Sequence, residues 1–351
     1  MFHKNCIFCG SPPLSKNKEH ILPKWLLSLT GSENKQVPIG YNWKTQEQIK
    51  FDFSSFVFPS CQKCNSEFSD MEAKLRPVFD RLLVDEYISQ AELSLLLDWF
   101  DKIRIGLWLA VNYLNKEAFG IAPKFYIKER IATKDRLLTI TNLYNANIGL
   151  TWIGANSLCF IYSPTCISLQ VNNLLFVNAS LEFLVSEHLG FPYPIKAELK
   201  SEDGRTDYVM AKSKEVFTKG LVKTILSEPH IKIMQPIYHQ NQRNLPTFYD
   251  TEFIRQHSYD YSKGIGKIFL EHDNAIYAVE EDEEVSFGMK EKVWNGRRVP
   301  IIGPTLLLQM ELLTRYPVDT SRLTKEEKTN YKMVKRMILE YTKLQYRTYR
   351  D

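Results

Sequence analysis

The longest run of apolar positions at helical spacing lies between residues 90 and 114. The stretch AELSLLLDWFDKIRIGLWLAVNYL is apolar around most of its circumference, and Ser89 and Glu92 stand before it at the spacing of a capping box. A helix that is apolar on nearly all sides belongs in the middle of a core. The pattern therefore predicts a central helix over residues 90–114.

The same periodicity predicts two further long helices. One covers SEFSDMEAKLRPVFDRLL despite Pro77, and the other is a basic C-terminal helix over residues 324–350 that begins at a second capping box, Thr324 with Glu327. Shorter helices are predicted after Pro23 and over residues 180–188 and 211–227.

Strand-like patterns dominate residues 118–178. The segments LLTITNL, GLTWIGA, LCFIYS, ISLQV and LLFVN are short, β-branched and aromatic, which predicts a mainly antiparallel sheet, and KIFLEH and AIYAVEE add later strands. Residues 31–58 favour a hairpin or a long loop. We predict the α+β class, with an N-terminal module over residues 1–85 and a larger mixed α+β domain with an antiparallel sheet over residues 86–351.

Length and composition agree with two folded units. The chain has 351 residues, and its 44% hydrophobic content leaves ample apolar surface to bury. A formal net charge of +4 neither requires nor excludes a nucleic-acid partner. Because the N-terminus lacks an apolar signal segment and no run reaches the roughly 20 apolar residues of a membrane span, we expect a cytoplasmic protein without a membrane partner.

Four of the six cysteines form two CxxC pairs, Cys6 with Cys9 and Cys61 with Cys64. Four thiolates complete a tetrahedral set for Zn²⁺, so we expect a structural zinc site that joins the start of the module to its second pair. The alternative is that all four are ordinary buried thiols. Cys159 and Cys166 lie in an apolar stretch and are expected to be buried thiols outside the site.

His20 lies between the two CxxC pairs and directly after Glu19. Since four cysteines satisfy the zinc, His20 is available as a base that takes a proton from water. Glu19 and Asn65 offer hard oxygen ligands suited to Mg²⁺ or a similar ion, and a base together with a metal ion is what phosphodiester hydrolysis needs. Two alternatives stay open: His20 only makes hydrogen bonds within the module, and Asn65 caps a helix.

These residues resemble the zinc-containing branch of the HNH, or His-Me finger, nuclease family. The elements that carry the resemblance cover roughly residues 1–80 and read Cys6-Ile-Phe-Cys9, Glu19-His20-Ile21-Leu22-Pro23 and Cys61-Gln-Lys-Cys64-Asn65. The resemblance implies a ββα-metal finger on a treble-clef zinc framework. It also implies that His20 is the general base and that Glu19 and Asn65 bind one catalytic Mg²⁺ or Mn²⁺.

One departure concerns the middle Asn that many members carry about five residues before the second CxxC pair. Here the segment reads SSFVFPSC, so the orienting role falls to a backbone carbonyl or to Ser54 or Ser55. Asp70 and Glu72, on the following helix, are further candidates for a water-mediated ligand.

We therefore expect a metal-dependent HNH endonuclease acting on DNA, or alternatively RNA, in bacterial defence or a mobile element, with the larger domain choosing the substrate or a protein partner. The basic helix is expected to contact a nucleic-acid backbone, although such a face is more often simply solvated. Its candidate residues are Lys332, Lys335, Arg336 and Lys343. Two rivals remain: a non-catalytic zinc-knuckle module that binds nucleic acid or protein, and a nuclease subunit active only with a partner such as an ATPase.

Overall fold

The structure is a computed structural model of the chain, and it describes residues 5–12, 17–42, 45, 47–55, 57–114, 126–143, 148–199, 206–211, 231–238, 251–272, 275–289, 302–315 and 323–348. Within these ranges lie seven α-helices and an antiparallel sheet of seven strands. The predicted α+β class is confirmed.

Short strands and two helices make up the N-terminal part of the fold. They are β1 (Lys18–His20), α1 (Lys24–Leu29), β2 (Gln36–Asn42), β3 (Glu47–Asp52), β4 (Val57–Pro59) and α2 (Gln62–Leu83). β1 pairs antiparallel with β4, which places His20 opposite Val57. β2 and β3 form a hairpin, which was one of the two structures predicted for residues 31–58. The helix α2 continues through Pro77, as predicted.

The central helix α3 (Gln90–Leu114) follows directly on β5 (Ile88–Ser89) and has the predicted bounds. Its capping box is formed: the Ser89 N–H donates to Glu92 Oε2 at 3.0 Å, and the Glu92 N–H donates to Ser89 Oγ at 3.4 Å. Every residue from Trp99 to Val111 is buried. The helix therefore lies inside the protein rather than on it.

A seven-stranded antiparallel sheet is the largest sheet among the described residues. Its strand order is β16-β15-β12-β6-β9-β8-β7, and shorter two-stranded pairs lie outside it. The strands after β5 are β6 (Asp135–Asn142), β7 (Leu150–Ile153), β8 (Cys166–Val171), β9 (Leu174–Leu181), β10 (Tyr193–Leu199), β11 (Thr206–Ala211), β12 (Ile231–Gln235), β13 (Ser258–Asp260), β14 (Ile265–Gly266), β15 (Phe269–His272), β16 (Ala275–Ala278) and β17 (Glu284–Val285).

Four helices complete the described fold, namely α4 (Leu158–Tyr162), α5 (Thr251–Gln256), α6 (Ile302–Arg315) and α7 (Lys325–Thr348). α7 is the predicted basic helix, and its capping box is also formed, with the Thr324 N–H donating to Glu327 Oε2 at 2.7 Å. The helices α4, α6 and α7 pack against one another, and α4 also contacts α3.

The segment LCFIYS is helical, so its predicted strand is wrong. Ser157 is the N-cap of α4, and its hydroxyl accepts the Phe160 N–H at 3.0 Å. A short apolar run reads equally well as a buried strand or a buried helix turn, and here the cap decides. Cys159 and Cys166 are buried, as expected.

The helix predicted over residues 180–188 is also wrong, because β9 runs to Leu181 and a series of turns follows. The Asp135 carboxylate accepts the N–H groups of Val185 and Ser186, both at 3.0 Å, and Phe183 has a φ of +56°. These contacts are incompatible with a regular helix. Of the helix predicted over 211–227, Ala211 belongs to β11 and the remainder lies outside the described residues, as do residues 118–125 of the predicted strand-rich region.

One apolar core extends from the N-terminal part to the sheet and includes Phe8, Ile21, Trp99 and Phe176. Gly106 of α3 lies so close to this part that a Cβ there would meet Ile21 Cδ1 at 2.8 Å. The division into residues 1–85 and 86–351 therefore stays a prediction. None of the helices among the described residues combines the length and apolar character that a membrane crossing requires.

Candidate metal and active site

Four cysteine side chains meet at one point. The Sγ atoms of Cys6, Cys9, Cys61 and Cys64 lie within 4.8 Å of one another, and those of Cys9 and Cys61 are 3.8 Å apart. Sulfurs placed tetrahedrally at the usual Zn–S length are ~3.8 Å apart, so this donor set fits a structural zinc ion. In the part of the chain that the structure describes, no other three Cys, His, Asp or Glu ligand atoms lie this close together.

The first CxxC pair is held in a tight turn that ends at Gly10. The Gly10 N–H donates to the Cys6 carbonyl at 2.8 Å, and Gly10 has a φ of +78°. A Cβ at Gly10 would lie 2.2 Å from the Tyr126 ring, so only glycine fits both the conformation and the space. The Ile7 N–H donates to the Pro59 carbonyl at 2.9 Å, which ties this turn to the end of β4.

The second CxxC pair forms the start of α2. Cys61 is the N-cap residue, and its Sγ accepts the Cys64 N–H at 3.5 Å. The alternative that Asn65 caps the helix is therefore wrong. Asn65 lies half-buried within the first turn, where its N–H donates to the Cys61 carbonyl at 2.9 Å.

The thiol protons are distributed unevenly over the cluster. Burial raises the pKa of the Cys6 and Cys64 thiols. Burial also acts upward on Cys9, but hydrogen bonds from the Ser11 hydroxyl and backbone, together with the neighbouring thiols, lower the Cys9 pKa to about 6. Since Zn²⁺ binds thiolates, metal binding displaces the remaining protons and its affinity rises with pH.

His20 is the last residue of β1, and its backbone lies in the ladder to β4, opposite Val57. The ring is half-buried, and its Nδ1 is buried without a hydrogen-bond partner among the described residues. Burial lowers the His20 pKa, and the charges of Lys24 and Lys102 lower it further. The ring is therefore neutral near pH 7, which is the form that accepts a proton.

Neither serine before β4 is seen to orient the His20 ring. The Ser55 hydroxyl donates to the Asp52 carbonyl at 2.7 Å, and for Ser54 only the backbone is described. The role of the missing middle Asn is thus unfilled among the described side chains, which agrees with the unpartnered Nδ1.

Lys102 lies beneath β1 and connects three elements of the site. Its side chain is fully buried, its ammonium forms an ion pair and hydrogen bond with Glu72 of α2, and it donates to the His20 carbonyl at 3.4 Å. Glu19 Oε1 is 3.7 Å from the same ammonium. The aromatic faces of Phe8 and Phe68 lie 5.8 and 5.5 Å from it. This cation therefore joins the first CxxC turn, β1 and α2 to α3.

Burial and the charge of Lys102 act in opposite directions on the pKa values of the two neighbouring carboxylates, Glu19 and Glu72. Burial raises the pKa of Glu19 to about 7, while Lys102 lowers it and Glu72 adds to the rise. Burial likewise raises the pKa of Glu72, against the attraction of Lys102. Glu72 is bound to Lys102 rather than turned toward a shared metal site, and Asp70 is exposed on α2.

Glu19 and His20 are neighbours on β1, whereas Asn65 lies on a different element, α2. A carboxylate and a carboxamide are donors of the type that Mg²⁺ or Mn²⁺ takes, and two protein ligands leave room for water and phosphate oxygens. Lys102 is bound more closely to Glu72 than to Glu19. The donor types of Glu19 and Asn65 suit a divalent ion, and their meeting at one such ion stays a prediction.

Lys102 is the site residue that the sequence analysis missed. A signal was present, because the charged tetrapeptide DKIR stands at residues 101–104 of an otherwise apolar helix. Charges in such a position are buried only when they are paired, so they indicate partners on neighbouring elements.

Most of the basic residues singled out on α7 face solvent. Lys332, Arg336 and Lys343 are exposed, while Lys335 is half-buried with its ammonium 6.0 Å from the Tyr331 ring. Their contact with nucleic acid stays a prediction.

None of the protein-family models, curated proteins or solved structures compared with this chain matches it.

Proposed function

We propose that the N-terminal part of this chain is a metal-dependent HNH-type endonuclease that hydrolyses phosphodiester bonds, with DNA as the expected substrate. The observation that carries the proposal is the position of His20. It is the last residue of β1, which pairs with β4. β4 is followed by Cys61 of the four-cysteine cluster and then by α2. Two antiparallel strands and a helix around one histidine are the arrangement that the resemblance implies.

In the proposed reaction, the neutral His20 ring takes a proton from a water molecule as the water oxygen forms its bond to phosphorus. The P–O bond to the leaving sugar oxygen breaks, and that oxygen takes up a proton from solvent. Glu19 and Asn65 are the proposed holders of Mg²⁺ or Mn²⁺. When bound, such an ion stabilises the negative charge that develops on the phosphate and the leaving oxygen.

The zinc cluster has a structural role in this proposal. Cys6, Cys9, Cys61 and Cys64 supply a closed set of four ligands, which leaves no open position for substrate. Zinc would hold the first CxxC turn against the start of α2, so that β1 and α2 keep their relative position. His20 and Asn65 lie on these two elements.

A plasmid-nicking assay in Mg²⁺ or Mn²⁺ tests the proposal by comparing the wild type with His20→Ala. We expect His20→Ala to lower the cleavage rate by roughly 10²-fold or more, as for loss of a general base, while zinc content and thermal stability stay unchanged. His272→Ala, at the end of β15, is the matched control and should cleave as the wild type does. Equal cleavage by wild type and His20→Ala, or no cleavage by either, would overturn the enzyme proposal.

A second candidate function is a zinc-knuckle module that binds nucleic acid or protein without cutting. The observation that favours it is the buried ion pair of Glu19 with Lys102, which gives Glu19 a structural partner. The unpartnered Nδ1 of His20 points the same way, because a catalytic imidazole is usually oriented through its second nitrogen.

Titration calorimetry with Mn²⁺ separates the two candidates. The nuclease proposal expects a binding event that Glu19→Gln weakens by about tenfold or more, as expected for removing a charged ligand. The binding-module candidate expects no Mn²⁺ binding that depends on Glu19, and DNA or protein binding that survives both Glu19→Gln and His20→Ala.

A further inference from the structure

The short 3₁₀ turn Ile127–Arg130 belongs to the four-cysteine region, although it follows α3 in the sequence. The Ile127 N–H donates to the Ile7 carbonyl at 3.1 Å, and the Lys128 N–H donates to the Phe8 carbonyl at 3.0 Å. Ile7 and Phe8 are the two residues between the cysteines of the first CxxC pair. The backbone of this turn is therefore bound directly to the first half of the cluster.

The side chain of Lys128 reaches the second half of the cluster, on α2. Its ammonium forms an ion pair with Glu67 and lies 5.9 Å from the centre of the Phe68 ring. Glu67 and Phe68 are three and four residues after Cys64, so the three side chains share one face of α2. The ammonium accordingly lies within hydrogen-bonding reach of Cys64 Sγ, and its charge acts on that sulfur.

The charge of a filled cluster gives this contact a chemical meaning. Four thiolates around one Zn²⁺ leave an excess of two negative charges, which nearby cations and hydrogen-bond donors stabilise. A cavity of about 540 Å³ opens beside the cluster, and its described lining includes Cys64 and two cations, Lys63 and Lys128. Lys63 is exposed at the position before Cys64, and adjacent positions of a helix do not face each other. Lys128, in contrast, is held beside Cys64 by contacts from another element.

We propose that Lys128 is the counter-cation of the four-cysteine site and raises its affinity for zinc by stabilising the thiolate of Cys64. A group of this kind does not bind the ion itself but acts through the ligand, so Lys128 is a positioning residue. The inference rests on the zinc site of the proposed function and not on nuclease activity. It makes a segment beyond α3 necessary for the full zinc affinity of the N-terminal part.

The alternative role of Lys128 is to hold α2 in place through Glu67. That ion pair lies at the surface, with the two side chains 32% and 43% exposed, and such pairs contribute little to stability. The two roles predict different results when Glu67 is neutralised. A counter-cation that loses a competing carboxylate should keep or strengthen zinc binding, whereas loss of a structural ion pair should weaken it.

The first test measures the zinc dissociation constant of the full chain by competition with chelators of known affinity. We expect Lys128→Met to bind zinc about tenfold more weakly, the size of effect typical of groups behind metal ligands. Met keeps an apolar stem beside Phe68, and Lys128→Arg, which keeps the charge, should restore most of the affinity. Glu67→Gln should bind zinc at least as tightly as the wild type. Lys63→Met, in the same cavity, should stay within about twofold because an exposed charge is screened by salt.

The second test replaces zinc with Co²⁺ and records the sulfur-to-cobalt charge-transfer absorption, which a general loss of stability does not shift. A cation beside a thiolate lowers the energy of the sulfur electrons. The band should therefore move to longer wavelength in Lys128→Met, and it should not do so in Lys128→Arg, Glu67→Gln or Lys63→Met.

An unchanged zinc affinity or an unchanged cobalt band in Lys128→Met overturns the role of Lys128. So does a Glu67→Gln variant that loses zinc to the same extent as Lys128→Met, because the ion pair alone would then explain the effect. A wild type that binds no zinc overturns the metal site and this inference with it. Neither measurement involves cleavage, so both distinguish failure of this inference from failure of the nuclease proposal.

Discussion

The four-cysteine region and the seven-stranded sheet are held together in different ways. In the first, β1 and β4 have three residues each and, among the described residues, pair with no other strand, so backbone hydrogen bonds between strands are few there. In the second, β6 and β9 have eight residues each and are buried along almost their whole length. Geometry near His20 therefore depends on particular side chains, whereas geometry in the sheet depends on continuous pairing and apolar packing.

The carboxylates Glu19, Glu72 and Asp135 are stabilised in two different ways. Lys102 compensates two buried carboxylates, Glu19 and Glu72. In the sheet, the Asp135 carboxylate accepts four hydrogen bonds, three from backbone N–H groups and one from the Ser186 hydroxyl. Glu19 and Glu72 are thus balanced by a cation, whereas Asp135 is held by hydrogen bonds from the backbone and from Ser186. Substitutions that remove one partner at a time should reveal the difference.

The largest effect is expected from Cys61→Ser. In small zinc fingers the structural ion contributes on the order of 10 kcal/mol, so this variant should lose its bound zinc and the hydrogen-exchange protection of residues 5–12 and 57–66. The strands β6 and β9 should stay protected because their pairing does not involve the metal.

Cys159→Ser is the control for that experiment. Its side chain is buried but lies in α4 outside the cluster, and the Thr342 hydroxyl can donate to the new oxygen. Zinc content by elemental analysis should stay at one per chain. If Cys61→Ser reduced protection equally in β6 and β9, the two regions would not differ in the way described.

The next largest effect is expected from Lys102→Met, which leaves Glu19 and Glu72 buried without a counter-charge. Breaking a buried pair in this way costs about 3–5 kcal/mol. Burial raises the pKa of both carboxylates, to about 7 for Glu19, so the folded state favours their protonated forms. The free energy of unfolding therefore falls as the pH rises through that value. The deficit should thus be largest above pH 7 and small near pH 4.5, as measured by urea unfolding. Lys74→Met, at an exposed position of α2, should change stability little at any pH; a deficit of Lys102→Met that is independent of pH would contradict this account.

A smaller loss is expected from Asp135→Asn in the sheet region. The carboxamide nitrogen must face N–H or O–H donors, so at least one donor loses its acceptor, at a cost of about 2–3 kcal/mol. Ser186→Ala removes a single hydrogen bond and should cost about 1 kcal/mol. Equal midpoints for the two variants in urea would show that the Asp135 carboxylate contributes no more than its single hydrogen bond with the Ser186 hydroxyl.

The smallest effect is expected from Glu271→Gln, whose difference from the wild type in free energy of unfolding should be present above pH 4.5 and vanish toward pH 2. The hydrogen bond with His188 at 2.9 Å, with help from Lys232, lowers the Glu271 pKa to about 2. This group contributes stability that is present above pH 4.5 and is lost as pH falls toward 2. The wild type should therefore lose about 1–2 kcal/mol of unfolding free energy between pH 4.5 and 2 that Glu271→Gln does not lose. This value is reduced to allow for the partial exposure of the side chain.

The control for the acid experiment is Glu252→Gln, a position that is 64% exposed in its ion pair with Arg255. Its unfolding curve between pH 4.5 and 2 should match that of the wild type. A wild-type slope in Glu271→Gln would mean that His188 and Lys232 do not act through this carboxylate.

Much of the fold was predictable because its signals are local. The bounds of α3 and α7 follow from apolar periodicity and capping boxes, and the two CxxC pairs indicate their own meeting point. One error arose where a contact distant in sequence decides the structure. Asp135 binds the backbone at Val185 and Ser186 and so replaces the predicted helix with turns.

The candidate site was predictable only in part for the same reason. Glu19, His20 and the cysteines form a readable motif, whereas Lys102 lies 82 residues after His20. Its pairing with Glu72 depends on how α2 and α3 pack, which no local pattern contains. Short apolar runs such as LCFIYS contain too few residues to distinguish the two-residue period of a strand from the 3.6-residue period of a helix. The N-cap at Ser157 is the local signal that favours a helix there.

The position of α3 bears on where the N-terminal part could be separated as a fragment. Its Lys102 pairs with two carboxylates of that part, and its Gly106 accommodates Ile21. A fragment cut after α2 would carry two acids without their cation and an apolar surface open to water. We therefore expect an engineered fragment that extends through Leu114 to fold, whereas one that ends at residue 85 should not.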